Sequence, residues 1–134
     1  MAYDNPSRMQ YTIAANDFGG GADTTQIVSG PAGKRGRVKH VLIYDVTETF
    51  VGTTSGGQVL VGKSGDTDAY FVSSAPVLAG SSPAVGASVV LVNQLTPSDA
   101  TEIPADTPVH ITCVKTVGGT VTGIASVDVS IDWY

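Results

Sequence analysis

Four of the seven basic residues, Lys34, Arg35, Arg37 and Lys39, fall within six consecutive positions. Cations packed this closely make a local positive field, suited to an acidic protein surface and, less readily, to nucleic acid. The plainer role is a solvated loop and strand entrance whose charge offsets an otherwise acidic chain. Gly33-Lys34 invites a phosphate-loop reading, but the spacing G-x-x-x-x-G-K-[ST] is absent.

Asp66 and Asp68, with Ser64 and Gly65, offer oxygen ligands to calcium. They lack the longer Asp/Asn series and closing Glu of a helix–loop–helix site, and a tight turn needs Asp and Gly for backbone reasons alone. His40 and His110 are the two imidazoles and Cys113 the one thiol. Three positions along a strand put His110 and Cys113 on opposite faces, which prevents a local Cys–His pair. The twelve carboxylates show no diagnostic pair. No enzyme, cofactor or metal is expected. The aromatic residues Tyr3, Tyr11, Tyr44, Tyr70, Trp133 and Tyr134 include material for a sugar platform. Trp133, however, is in phase with a core face, while Tyr134 falls at the polar end of the last strand, free to meet a neighbour.

The elements that must position these residues follow from composition. A chain of 134 residues fits one domain. Val, Thr, Ser, Gly and Ala dominate it and Leu, Glu, Lys and Gln are scarce, a mixture that favours pleated strands and tight turns. The net charge of −5 argues against duplex nucleic acid as a partner, since that needs a basic face. One cysteine excludes an intrachain disulfide. Residues 1–10 have no apolar leader core, and no stretch approaches the roughly 20 apolar residues of a membrane span. No membrane partner is expected.

The spacing of turn signals predicts an all-β, single-domain antiparallel β-sandwich or jelly roll over residues 26–134. Residues 1–25 read as a flexible arm with a short strand at 9–15 and a Gly-rich linker. From Gly36, Val38, His40, Leu42, Tyr44 and Val46 share one face while Val41 and Ile43 share the other, the pattern of a central strand. Residues 52–57 read as a loop. Residues 58–63 and 69–73 read as a hairpin around 64–68, and 87–93 as a further strand. Thr96-Pro97-Ser98-Asp99 resembles a helix start.

In the last strand Val121, Ala125, Val127, Val129, Ile131 and Trp133 alternate with Thr122, Ser126, Asp128, Ser130 and Asp132. One buried face follows. Aligning it with Val109, Ile111 and Cys113 predicts a C-terminal hairpin with a three-residue loop, Gly118-Gly119-Thr120, pairing Ile111 with Val127 and Val109 with Val129.

The runs Gly30-Pro31-Ala32-Gly33-Lys34-Arg35-Gly36-Arg37-Val38 and Val46-Thr47-Glu48-Thr49-Phe50 carry a resemblance. So do 61–70, Ile103-Pro104-Ala105-Asp106-Thr107-Pro108-Val109 and the Gly-Gly segment near the end. Together they resemble small virion structural proteins of tailed bacteriophages, most of all head decoration (cement) proteins. The resemblance covers most of the chain after residue 27 and rests on compositional motifs. It implies a sandwich or jelly roll, commonly a homotrimer, on the outer capsid of the virion, clamping neighbouring major capsid proteins and made in the host cytoplasm. Lys34, Arg35, Arg37, Lys39, Tyr3, Tyr11 and Tyr134 are then the candidate contact residues. A tail, collar or fibre-associated module and a carbohydrate-binding β-sandwich are the alternatives.

Overall fold

Runs of β-branched residues with alternating burial become strands wherever one face can be covered. In the computed structural model, residues 7–73, 83–95 and 102–134 are described. In chain order the strands are β1 Ser7–Asp17, β2 Thr24–Val28, β3 Gly36–Gly56, β4 Val59–Lys63, β5 Asp66–Val72, β6 Val89–Leu91, β7 Val109–Cys113 and β8 Thr116–Trp133. They form two four-stranded antiparallel sheets, ordered β1-β8-β3-β6 and β2-β7-β4-β5. Pairing first with last, second with seventh, third with sixth and fourth with fifth is the jelly-roll winding. The core lies between the sheets: Val41, Ile43, Val127, Val129 and Ile131 of the first face Val59, Val61, Val109 and Ile111 of the second.

The predicted C-terminal hairpin does not form. β7 pairs with β2 and β4, so Ile111 lies beside Gln26 and Val61. β8 pairs with β1 and β3, so Val127 lies beside Ile13 and Ile43. The chain changes sheet at Val114 and Lys115, and Gly118 sits inside β8 opposite Thr53. Two strands with one apolar face each bury both by facing across a sandwich, an option that matching them side by side overlooks. Flanked on both edges, β8 also buries Ser126 and Ser130 on its polar face.

β3 is central, as expected, and runs through the anticipated loop to Gly56. Its register shifts between Val38 and His40 and again between Tyr44 and Glu48, where Asp45 takes φ 49°. Each extra residue flips the alternation. Val38 therefore packs on the same core as Val41 and Ile43, and Val46 and Phe50 are buried too.

The N-terminal region differs from a loose arm. β1 pairs with β8 from Ser7 to Asp17 and turns Ile13 inward. Phe18 is fully buried, its ring 5.4 Å from that of Phe50 and its amide donating to the Gly123 carbonyl at 2.8 Å. The Gly-rich stretch is tied as well: Asp17 accepts from the Gly19 amide, Asp23 from the Lys115 amide, and the Lys115 ammonium donates to the Gly21 carbonyl. Residues 1–6, with Tyr3, and the expected helix start at 96–99 lie outside the described residues.

Candidate functional site: a charged corner

The start of the basic run is fastened by backbone to two other segments. Arg35 and Tyr134 exchange two hydrogen bonds of 2.9 and 2.8 Å, and Gly36 and Ile103 exchange two of 3.0 and 2.8 Å. Beneath them Trp133 is buried, its indole N–H donating to the Tyr11 hydroxyl at 3.0 Å. A Cβ on Gly30 or Gly36 would come within 2.6 Å of that indole, so close packing requires glycine at both positions. Gly33, at φ 74°, donates its amide to Asp106 at 2.8 Å and fixes the loop before β3.

This frame brings Glu102 between two arginines. Its carboxylate lies 3.1 Å from Arg35 Nη1 and 3.8 Å from Arg37 Nε, and it accepts from the Tyr134 hydroxyl. Arg37 Nε also donates to the Tyr134 hydroxyl at 3.2 Å, and the Arg35 guanidinium stands 5.7 Å from the centre of the Tyr134 ring. Next to it on the outer face of the first sheet, Arg8 meets Asp132 through two contacts of 2.8 and 3.3 Å. The hydrogen bond from Arg8 holds the Asp132 carboxyl below its ordinary value, with the charges of Arg8, Lys39 and His40 adding to the effect.

The structure thus gathers Lys34, Arg35, Arg37, Lys39 and Tyr134 at one end of the sandwich and adds Arg8. It does not bring Tyr11 among them, because that side chain lies on the core side of β1 and bonds Trp133. Tyr134 is engaged by its own chain rather than free. Arg8, Glu102 and Asp132 were missed by sequence reasoning. The in-phase positions of Arg8 and Asp132 on long strands were a weak signal, whereas Glu102 joins only through the fold. Among the described residues the corner sets five cations against Glu102, Asp106 and Asp132, and the flank beside it adds Lys63 with Asp66 and Asp68. The far end sets Lys115 against Asp17, Asp23, Asp45 and Glu48. The side chains of Arg35 and Arg37 remain 60% and 71% exposed, so the corner presents positive charge outward.

A second polar place occupies the other flank of the same end. β4 and β5 form the expected hairpin, but the turn is shorter, Ser64-Gly65 with Gly65 at φ 82°, and Asp66 and Asp68 belong to β5. Beside it opens a cleft of about 250 Å³ with Lys63, Asp66, Asp68 and Tyr70 in its lining. Tyr70 is 3% exposed and its hydroxyl has no hydrogen-bond partner among the described residues. A buried polar group left so costs about 1–3 kcal/mol. Burial, then the nearby Asp66 carboxylate, raises its pKa.

Elsewhere His40 Nε2 lies 3.2 Å from Ser130 Oγ. Cys113 points into the core, where burial pushes its thiol up to about 12, and His110 lies on the opposite face of β7. Among the described residues no three His, Cys, Asp or Glu side chains are grouped to hold a metal ion, and no helix is long and apolar enough to cross a membrane.

Fold and corner together define an all-β jelly-roll domain with one outward-facing basic corner. No family model, curated protein or solved structure matches the chain.

Proposed function

We propose that this chain is a non-enzymatic virion structural protein that binds the outer surface of a phage capsid and reinforces contacts between major capsid proteins. The observation that carries the reading is the charged corner. Five cations gather at one corner of a chain whose net charge is −5, with Arg35 and Arg37 held around Glu102 and Arg8 held by Asp132. Charges already in place lose little freedom on docking, so they favour a complementary acidic surface over others. A shell offering the same acidic site many times needs only a modest interface at each. The sequence resemblance adds the capsid as the acidic surface and a homotrimer as the bound form.

The test is binding of the purified chain to expanded capsids that lack a decoration layer, followed by co-sedimentation, with light scattering to give the copy number of the free form. Saturable binding that weakens with salt is expected, and Arg35→Gln with Arg37→Gln should weaken it about tenfold, or 1.4 kcal/mol. Capsids that bind neither form at low salt would remove the proposal.

A further inference from the structure

The β4–β5 hairpin departs from a regular ladder at Gly62. A Cβ there would lie 2.2 Å from the Asp66 carbonyl oxygen, so the backbone of β5 folds directly onto it, and the register shifts between Val61 and Lys63. The residues displaced by this shift line the cleft. Two carboxylates, Asp66 and Asp68, and one ammonium, Lys63, share the lining with apolar Ala69, Leu95 and Pro104. Tyr70 completes the lining, and its buried hydroxyl has no partner among the described residues.

Buried polar atoms are nearly always bonded, and one that is not marks a place where a partner belongs. The lining says which kind. Two carboxylates disfavour an anion, and Lys63 disfavours a simple cation. A tyrosine hydroxyl both donates and accepts, as does the hydroxyl of an alcohol. The apolar side chains suit C–H groups rather than a fully polar ion. The volume is small for a drug-sized ligand and adequate for one ring.

We propose that this cleft binds a neutral monosaccharide unit. Asp66 and Asp68 accept from its hydroxyls, Lys63 donates to one of them, and the Tyr70 hydroxyl gains a partner. The inference shares no residue with the charged corner, so capsid docking and sugar binding stand or fall separately.

The experiment is amide-resolved NMR titration of the full chain with glucose, galactose and N-acetylglucosamine, to about 50 mM because a single-ring ligand binds in the millimolar range. Sulfate and 1,4-diaminobutane serve as anion and cation controls. At least one sugar should give saturable shifts at Lys63, Asp66, Asp68 and Tyr70. Asp66→Asn with Asp68→Asn should weaken it at least tenfold. Tyr70→Phe should weaken sugar binding several-fold while raising the thermal midpoint, a combination that a purely structural hydroxyl would not produce. The inference is overturned by no saturable shift with any of the three sugars, by shifts with the ionic controls alone, or by unchanged sugar affinity in Tyr70→Phe.

Discussion

The charged corner and the β4–β5 cleft sit at the same end of the sandwich, with Glu102 serving one and Pro104 lining the other. In the corner, Glu102, Tyr134, Arg37, Arg8 and Asp132 all find partners within the chain. In the cleft, the Tyr70 hydroxyl finds none among the described residues. A polar cluster that completes its own bonds is rigid and can present charge to a large surface without rearranging. One that leaves a buried group unpaired has given up stability at a place where a small molecule can restore it. The same end of the fold therefore carries two kinds of polar site, distinguished by whether the protein satisfies itself.

Removing the support of the corner is the strongest way to break this contrast. Trp133→Ala should cost about 3–5 kcal/mol in chemical denaturation, as large buried aromatic truncations do, and should free Tyr11. NMR should then show displaced amides at Arg35, Glu102 and Tyr134, while those from Lys63 to Tyr70 keep their positions in the β4–β5 hairpin. Displacement of both sets would mean that the two sites share one frame.

Glu102→Gln sharpens the comparison more gently. It keeps the shape of the hub and removes the charge that two largely exposed arginines share, so a small loss of stability is expected by urea denaturation. An unchanged midpoint would show that the arginines are held by Tyr134 and backbone alone.

The smallest effect is at Asp132. Its folded-state pKa lies below the ordinary 3.8, so its contribution to stability is present above that value. It is lost as pH falls through the lowered value. Asp132→Asn should therefore be slightly less stable near neutrality, show a flatter rise of stability with pH in the acid range, and approach the parent at the lowest pH, measured by denaturation at a series of pH values. An acid slope identical in both proteins would remove the pair from the account.

Much of the fold was legible in residue order. The alternation from Ala125 to Trp133 demanded one buried face, the apolar centre of β3 demanded a central strand, and Ser64-Gly65 marked a turn. The corner was half legible, since Lys34, Arg35, Arg37 and Lys39 cluster locally. Glu102 was not, because nothing near it in the chain refers to β3. The cleft was least legible. Tyr70 reads as any strand aromatic, and a hydroxyl lacks a partner only by virtue of what surrounds it.

What the sequence by itself determined is the all-β character, the face each long strand buries, and the location of positive charge, because these depend on side-chain type and a period of two. Tertiary structure alone decided which buried faces meet. β7 and β8 carry matching apolar faces, and local reasoning joins them; the jelly roll sets them in opposite sheets, where each covers the other and gains two neighbours of its own. The same choice threads β1 along β8 and delivers Arg8 to Asp132. Hydrophobic burial is non-directional, so it specifies that a face be covered and leaves the partner to the winding of the whole chain.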